Sequence, residues 1–254
     1  VVEQFAFHAE FAGDMQQAAD GRRAAGVLIA DMITAADDAG VFYARRTLDQ
    51  LGARGDYPCC DIKDSPAFAI RCFMHDAGRH FRTVETLKAD IDEMARLKLN
   101  AFHWHLTDDQ GWRIEVKKYP LLTQEGSWRD FDEYDKRCVE LSQQDYNYEI
   151  DPRFVRNGSQ YGGHYTQEEM KGLVSYALER GIDIVPEIDM PGHFSAAIKV
   201  YPELSCTGEA GWGEEFSYPI CPSRPENYQF VQSIIDEMVE IFPSEYFHIG
   251  ADEV

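Results

Sequence analysis

The sequence predicts an α/β protein: the first half of a (β/α)8 barrel, built of four βα units and preceded by part of a small α/β domain. Short apolar runs alternate with amphipathic helical patterns after residue 66, which is typical of right-handed βαβ units around a parallel sheet. Each of the four predicted strands also ends in carboxylate or histidine residues. A (β/α)8 barrel gathers its functional side chains at that end of its strands.

The predicted domain boundary lies between residues 65 and 66. Before it, Gly40–Leu51 has apolar residues at helical spacing and predicts a helix. Residues 55–66 are rich in proline and aspartate, a composition typical of a connector. We therefore assign residues 1–65 to the carboxyl-terminal part of the small domain and residues 66–254 to the half-barrel.

Strands and helices alternate along the predicted half-barrel. The predicted strands are Ala67–Met74, Asn100–Leu106, Ile182–Ile188 and Tyr246–Gly250, and the predicted helices are Val84–Leu99, Thr166–Arg180 and Asn227–Phe242. The second helix begins with a Ser/Thr-x-x-Glu capping signature. A polar, aromatic insertion at residues 107–165 shows no convincing core pattern. The sequence contains no GxGxxG or Walker motif, which favours the barrel over a doubly wound nucleotide-binding sheet.

Composition excludes several classes of function. The formal net charge of −21 argues against a sequence-independent nucleic-acid binder, which needs cationic side chains along the phosphates. We interpret the charge as a highly soluble acidic surface rather than as a sign of a neutral or cationic substrate. No run of 18 apolar residues occurs, so no membrane span is expected. We also expect a signal peptide to be absent or already removed, because no charged-then-apolar leader is present.

The six cysteines form no CxxC pair and no zinc-ligand spacing with histidine. Cys206 and Cys221 lie in one glycine- and proline-rich loop that a disulfide could close. The redox compartment stays open on this evidence. We predict no metal and no cofactor.

The acidic pair Asp252 and Glu253 follows the last predicted strand. Two neighbouring carboxyl groups raise the pKa of one of them. The pair then supplies a protonated acid and an ionised partner, the combination that glycoside cleavage requires. Taken alone, an Asp-Glu dipeptide is more often a solvated loop pair, and only the surrounding motifs favour the catalytic interpretation.

Three other strand ends carry candidate residues. Arg71 and Asp76 surround the first strand, where a guanidinium binds vicinal hydroxyls or forms an internal salt bridge. His103 and His105 share one face of the second strand, and hydrogen bonding to nearby carboxylates is favoured over a metal site. At the third strand end, the Pro191–Gly192 turn projects His193 toward the same space.

Four motifs together resemble those of the family 20 glycoside hydrolases, the β-N-acetylhexosaminidases. They are Arg71–Phe81, Asn100–Arg113, Pro186–His193 and His248–Glu253, and their order and spacing agree with the family. The resemblance extends from about Ala67 to Val254. Residues 42–51 also resemble the end of the small α/β domain that precedes the family's barrel.

The resemblance implies an exo-acting retaining hydrolase in which the 2-acetamido group of the substrate is the nucleophile. Glu253 would be the general acid and base, and Asp252 would orient the acetamide and stabilise positive charge on the ring. The residues implied to bind the sugar are Arg71, Asp108 and His193. Those implied to support the site are Asp189 and His248.

The implied substrate is an oligosaccharide or glycoconjugate with a terminal β-linked GlcNAc or GalNAc, and the resemblance favours an exported protein. Cys72, His75 and Ala251 depart from residues common in the family, but none of them removes a catalytic group. The family's second half-barrel supplies tryptophans and a tyrosine that have no counterpart in this sequence. The alternative is therefore a catalytically silent fragment or a sugar-binding module. We expect self-association or a missing carboxyl-terminal half-barrel.

Overall fold

A computed structural model describes residues 5–10, 30–53, 60–208, 219–251 and 253. The chain divides into two compact units. The first unit comprises residues 1–71 and 92–100, and the second comprises residues 72–91 and 101–254. The chain thus leaves the first unit six residues beyond the boundary predicted from the sequence. The assignment of two domains remains a prediction.

The first unit contains a small antiparallel sheet and one long helix. Its elements are β1 (Phe5–Glu10), β2 (Ala30–Ala35), α1 (Asp38–Gly52) and β3 (Cys60–Asp64), and β1 lies between β2 and β3. α1 begins after Asp37, whose side chain accepts a hydrogen bond from the Gly40 N–H at 2.8 Å and so caps the first turn. Tyr43 and Ala44 are buried. The helix confirms the sequence prediction, whereas the sequence analysis predicts no strand before residue 66.

The second unit carries the predicted βα pattern and a folded insertion. In chain order its elements are β4 (Cys72–Asp76), α2 (Val84–Arg96), β5 (Ala101–His105), β6 (Thr107–Asp108), β7 (Gly111–Trp112), α3 (Leu121–Gln124), β8 (Trp128–Asp130), α4 (Glu133–Ser142), β9 (Val155–Arg156), β10 (Gln160–Gly162), α5 (Gln167–Leu178), β11 (Asp183–Met190), α6 (Ser195–Ile198), α7 (Pro225–Val239) and β12 (His248–Gly250). The last residues of α2 belong to the first unit. The predicted strand Ala67–Met74 is shifted, because the observed strand begins only at Cys72.

The main sheet has the order β12-β11-β5-β4, and all three strand pairs are parallel. The order of the strands in space is their order along the chain, as expected for successive βα units. Phe102 and Trp104 on β5 are fully buried on one face of the sheet, and His103 and His105 alternate with them onto the other. The α/β class and the parallel sheet are confirmed, and closure into a barrel remains a prediction.

Three amphipathic helices connect the parallel strands. In α5 the Thr166 Oγ1 accepts a hydrogen bond from the Glu169 N–H at 3.2 Å, and the Glu169 carboxylate accepts one from the Thr166 N–H at 2.8 Å. This reciprocal pair is the predicted capping box. The helices bury apolar residues spaced three or four apart, which forms the stripe that packs on the sheet; in α7 these residues are Phe230, Ile234 and Met238.

Residues 107–165 form an ordered insertion, which corrects the expectation that this segment lacks a core. β6 and β7 make a short hairpin, and β8, β10 and β9 form a second antiparallel sheet. The buried apolar residues of the insertion include Trp112, Ile114, Val116, Leu122, Tyr161 and Tyr165. The sequence pattern conceals this core because its strands are only two or three residues long, too short to display a period.

Arg113 joins the insertion to the loop that follows β4. Its guanidinium, which is fully buried, donates hydrogen bonds to the carbonyl oxygens of Ala77 at 2.9 Å, Gly78 at 2.8 Å, Ser127 at 2.6 Å and Gly163 at 3.1 Å. Burial lowers the pKa of Arg113 to about 10, so the side chain stays charged at neutral pH. One cation therefore holds two loops in place beside the carboxyl ends of the strands.

A disulfide joins Cys206 to Cys221, the pair that the sequence singled out. Beside it, the Cys221 N–H donates a hydrogen bond to the Leu204 carbonyl at 2.7 Å, and the Ile220 N–H donates one to the Pro191 carbonyl at 2.9 Å. Ile220, beside the disulfide, is thereby attached to the turn that leads from β11 to His193. Among the described residues, no helix is long and apolar enough to cross a membrane.

Candidate active site

The carboxyl ends of the four parallel strands bring together most of the residues that the sequence predicted for a site. β4 ends at Asp76, β5 at His105, and β11 beside Asp189. The hairpin after β5 adds Asp108, and the segment after β12 adds Glu253. Because all four strands run in the same direction, these side chains belong to one edge of the sheet.

Asp108 is the most enclosed carboxylate of this edge and is almost completely buried. Its Oδ2 lies 2.8 Å from the His105 Nε2 and 3.1 Å from an Nη of Arg79. Its Oδ1 lies 3.3 Å from the His193 Nδ1. A carboxylate removed from water needs such partners to offset its desolvation. Asp108 is therefore held in one orientation by three cationic or hydrogen-bonding side chains.

His193 connects Asp108 to Glu253. Its Nδ1 faces Asp108, and its Nε2 lies 3.1 Å from the Glu253 Oε2. The residue has a left-handed backbone conformation, with φ of 51°, which is unusual for a non-glycine residue and aims the ring away from the strand. Burial lowers the pKa of His193, but the charges of Asp108, Asp189 and Asp109 outweigh this effect and raise it. The two ring nitrogens thus bridge two carboxyl groups.

Glu253 is the exposed member of this group, with 63% of its side chain accessible. It also has a left-handed backbone conformation, with φ of 52°. Its neighbour Asp252 lies outside the described residues, so the predicted role of Asp252 has no geometry here. We call Asp108, His193 and Glu253 the carboxylate–histidine triad.

Asp189 supports the segment that leads to Glu253. Its carboxylate accepts a hydrogen bond from the Ala251 N–H at 3.3 Å, and its own N–H donates to the Thr107 hydroxyl at 3.1 Å. Gly250, with φ of 65°, packs so closely on the Asp189 carboxylate that a Cβ would collide with it. Glycine at this position therefore allows both the left-handed turn and the contact. The geometry links Asp189 to the end of β12.

A second buried carboxylate, Glu187, lies deeper in the sheet and faces three imidazole rings. Its Oε2 lies 2.6 Å from the His103 Nε2 and 2.8 Å from the His105 Nδ1, and its Oε1 lies 2.9 Å from the His248 Nδ1. Burial raises the pKa of Glu187, but the contacts with His103 and His105 outweigh it and lower the pKa. For His105 the effect of burial is the opposite and lowers the pKa, but contacts with Asp108 and Glu187 outweigh it and raise the pKa to about 10. We call these four residues the Glu187 cluster.

A comparison with protein families identifies the chain. A family model described as glycosyl hydrolase family 20, catalytic domain, matches residues 68–254, well over half of the sequence. This chain belongs to glycosyl hydrolase family 20. The family match begins close to the boundary predicted from the sequence and includes every residue of the triad.

Relatives and solved structures agree with the family 20 assignment. The β-hexosaminidases of Porphyromonas gingivalis and Vibrio furnissii are 41% and 40% identical over 84% and 87% of this chain, which covers 26% and 35% of those proteins. The structure also resembles the family 20 exo-β-N-acetylglucosaminidase of Vibrio harveyi, solved with N-acetylglucosamine, with a TM-score of 0.76 and 36% identity over 99% of this chain and 36% of that one. The chain thus spans about a third or less of these proteins.

Arg71 is a predicted site residue that does not lie with the carboxylate–histidine triad in this family 20 chain. It precedes β4, at the end of that strand opposite to Asp76. Its guanidinium donates to the carbonyl oxygens of Lys98 and Phe68, both at 2.8 Å, and to the Tyr43 hydroxyl at 3.0 Å. These contacts hold the guanidinium by backbone carbonyls and a hydroxyl, and the sugar-binding role of Arg71 stays a prediction.

Arg79 is the arginine that reaches the strand ends of the family 20 chain. It contacts Asp76 at 3.0 Å and Asp108 at 3.1 Å, and 42% of its side chain remains accessible. The sequence analysis missed Arg79, and it also missed the pairing of Glu187 with His105. The alternation of β5 could have indicated that His105 faces a neighbouring strand, but it could not identify the partner.

Three sets of side chains in the described residues bring possible metal donors within 4.8 Å of one another. They are His103 with Glu187 and His248, His105 with Glu187 and Asp189, and Asp108 with Asp109 and His193. Each imidazole of these sets also has a carboxylate partner at hydrogen-bonding or ion-pair distance. The expectation of no metal stays a prediction.

Proposed function

We propose that this chain is part of the catalytic domain of an exo-acting retaining β-N-acetylhexosaminidase, which removes terminal β-linked GlcNAc or GalNAc from glycans. The observation that carries the proposal is the triad. A buried carboxylate and a histidine converge on Glu253, an accessible carboxyl group at the strand ends. Such a buried partner orients the histidine, and the histidine in turn orients the group that exchanges a proton with substrate. The named activities of the relatives support the same class of reaction.

In the first step, the carbonyl oxygen of the sugar's 2-acetamido group bonds to the anomeric carbon while the bond to the leaving oxygen breaks. Glu253 gives its proton to that oxygen, and an oxazolinium-type intermediate results. In the second step, water bonds to the anomeric carbon, the ring of the intermediate opens, and the water proton returns to Glu253. Two inversions at one carbon give net retention. Asp252 would orient the acetamide and stabilise the developing positive charge.

His193 maintains Glu253 in position for both proton transfers. The charges of nearby carboxylates raise the pKa of His193, and its Nδ1 faces Asp108 while its Nε2 faces Glu253. Preorganised charges of this kind stabilise a transition state without reorganising during the reaction. Asp189 would keep the loop that carries Glu253 at the correct distance.

A catalytically silent fragment or sugar-binding module is the second candidate, and the accessibility of Glu253 favours it. Water screens the charges on which the mechanism relies when a site is open. Turnover of a chromogenic N-acetylglucosaminide by this 254-residue chain, compared with the full-length natural protein, separates the two candidates. We expect the full-length protein to be active and this chain to be a poor hydrolase. Ordinary enzyme rates from a stable monomer of the chain would contradict that expectation.

The assignment of Glu253 is tested by Glu253→Gln in the full-length protein. Turnover of a chitobiose-type substrate should fall by roughly 10²–10⁴-fold, because general acid–base catalysis contributes about that factor. Substrate binding should change far less. Glu245→Gln, at an exposed position, is the matched control and should retain wild-type turnover. Near-normal turnover by Glu253→Gln would overturn the assignment.

The participation of the acetamido group is tested with substrate analogues. A thiazoline that mimics the bicyclic intermediate should inhibit strongly, and a plain glucoside, which lacks the nucleophile, should be a very poor substrate. Comparable rates on a glucoside and an N-acetylglucosaminide would refute substrate assistance. A covalent bond trapped on Asp252 would refute it as well.

A further inference from the structure

The Glu187 cluster lies beneath the triad and belongs to three neighbouring strands. Glu187 comes from β11, His103 and His105 come from β5, and His248 comes from β12. Only 5% of the Glu187 side chain is accessible. One buried carboxylate thus joins the central strands to the strand that leads to the proposed general acid.

His105 connects the cluster to the triad without a gap. One of its ring nitrogens lies 2.8 Å from Glu187, and the other lies 2.8 Å from Asp108. Asp108 then faces His193 at 3.3 Å, and His193 faces Glu253 at 3.1 Å. Carboxylates and imidazoles therefore alternate from the interior of the sheet to the accessible Glu253.

We infer that Glu187 is a positioning residue for the hydrolysis: it holds His105 against Asp108 and anchors His248 at the start of β12. This inference rests on the proposed function. Glu187 does not touch the substrate in this scheme, because three residues, His105, Asp108 and His193, separate it from Glu253. It acts by holding the ring of His105 in the one orientation that presents a nitrogen to each carboxylate. In metal sites, the hydrogen-bond partners of metal-binding histidines orient the rings in the same way.

Stability alone does not account for a charged group at this place. Burying a carboxylate and its cationic partner carries a large desolvation penalty, and apolar residues of similar volume often stabilise a protein equally well or better. Phe102 and Trp104, on the opposite face of β5, show that the sheet accommodates large apolar side chains. The Glu187 cluster lies on the same face of the sheet as His105, which contacts Asp108 of the carboxylate–histidine triad. Its location therefore points to orientation of the reacting groups.

The test uses Glu187→Gln in the full-length protein, a substitution that removes the charge and keeps the shape. On a disaccharide of N-acetylglucosamine, kcat should fall by roughly 10–100-fold, the usual cost of losing such an outer partner, while KM stays within about threefold. An aryl glycoside with a good leaving group needs less protonation and should lose less. A purely structural defect would lower both rates alike.

Glu237→Gln is the matched control. The Glu237 carboxylate accepts hydrogen bonds from the N–H groups of Lys117 and Lys118 and from the Gln167 side chain, so it also joins separate segments, but it lies away from the triad. We expect this variant to lower the melting temperature without changing the ratio of kcat on the disaccharide to kcat on the aryl glycoside. A change in that ratio equal to that of Glu187→Gln would contradict the inference.

A double-mutant comparison isolates the route through Glu253. If Glu187 acts through the general acid, adding Glu187→Gln to Glu253→Gln should reduce the residual turnover by less than about threefold, because residues that act as a unit are not additive. A further loss as large as in the wild-type background would show that Glu187 acts elsewhere.

His248→Gln, at a ring that is 48% accessible, removes one contact with Glu187 and provides the test if Glu187→Gln does not fold. It should show a smaller loss, roughly 3–10-fold, with the same dependence on leaving group.

The outcomes distinguish the two proposals. A wild-type protein that hydrolyses neither the disaccharide nor the aryl glycoside refutes the proposed function. An active wild-type protein in which Glu187→Gln and His248→Gln turn over both substrates normally refutes the positioning role and leaves the proposed function intact. Equal losses on the two substrates also refute the positioning role.

Discussion

The central and edge strands of the parallel sheet differ sharply in their surroundings. On β5 and β11, apolar residues such as Phe102 and Ile184 are fully or nearly fully buried, and so are Glu187 and Asp189. On the edge strands, Phe73 of β4 and Ile249 of β12 are 42% and 48% accessible. The same kind of apolar side chain is thus enclosed in the centre and open to solvent at the edges.

This difference divides the candidate site into a rigid part and a part with less support. Asp108 and His193 are enclosed and held by several partners, whereas Glu253 follows an edge strand and is largely accessible. Catalytic side chains need placement within about half an ångström, which requires packing around them. We therefore expect the side chains on the central strands to keep their geometry in this chain alone. The edge strands should depend on packing against additional protein. Four predictions test this comparison.

The largest effect is expected from a matched pair of phenylalanines. Phe73 and Phe102 are partners in the β4–β5 register, and their rings stack with centroids 6.4 Å apart. Phe102→Ala should lower the free energy of unfolding by about 3–5 kcal/mol, as large-to-small changes in a core do, and Phe73→Ala by less than about 1 kcal/mol. Urea titration of this chain measures both. Equal losses would contradict the comparison, and a larger loss for Phe73→Ala in the full-length protein would show that further strands cover β4.

Arg113→Met should destabilise the protein by about 3 kcal/mol, the low end of the range for three freed carbonyl groups. The substitution leaves the carbonyl oxygens of Ala77, Gly78 and Ser127 buried without their donor, and each such group costs roughly 1–3 kcal/mol. Arg137→Met is the control, because Arg137 is exposed and pairs with Glu140 on its own helix, where the expected change is within about 0.5 kcal/mol. Urea titration again gives the values. Similar midpoints for both variants would show that the loops do not support the centre.

Stability should decrease as pH rises from neutral to alkaline values. The pKa of His105 is raised to about 10 in the folded protein, so its contribution is fully present below the unfolded pKa of about 6.5 and is lost as pH approaches 10. The slope is at most about 1.4 kcal/mol per pH unit, because one proton is involved. Denaturation series between pH 6.5 and 10 measure it, and His105→Gln should reduce the slope. A wild-type stability that does not change with pH would refute a protonated His105.

The smallest effect is expected at the edge strand. Gly250→Ala introduces a Cβ that collides with the Asp189 carboxylate and strains a left-handed residue, so β12 must shift slightly. In the full-length protein we expect kcat to fall roughly tenfold, about 1.4 kcal/mol in activation free energy, with little change in KM. Gly172→Ala is the control, because a Cβ at this helical position meets open space. Steady-state kinetics of both variants provide the comparison, and unchanged kcat for Gly250→Ala would contradict it.

Much of the fold could be predicted because its signals are local. The capping residues of α5 act within one turn, and the apolar spacing of α7 expresses a period of 3.6 residues. The strand ends near Asp108, Asp189 and His193 could also be predicted to converge, since parallel strands place equivalent ends together. Those residues do lie together in the structure. The sheet β1–β3 could not be predicted, because its pairings join residues far apart in sequence.

The candidate site shows the same limit. Arg71 and Arg79 both lie within one motif, and sequence alone cannot distinguish which guanidinium reaches the strand ends. The distinction depends on the direction of the chain: Arg71 precedes β4 and binds backbone carbonyls, whereas Arg79 follows it and contacts Asp108. The core of residues 107–165 was missed because its strands are too short to display a period, and because a charged residue, Arg113, is buried within it.

The sequence by itself determined which chemical groups are available, on which elements they lie and at which end of the sheet they collect, because spacing and strand direction follow from local periodicity. Only the tertiary structure decided how those groups pair. Glu187 contacts three imidazoles from two other strands, and Asp108 contacts His105 and, from the turn after β11, His193. Each contact depends on side-chain directions and burial that no local pattern encodes. Charge burial is stable only when partners from elsewhere in the fold arrive within hydrogen-bonding distance. The pairings are therefore a property of the folded chain.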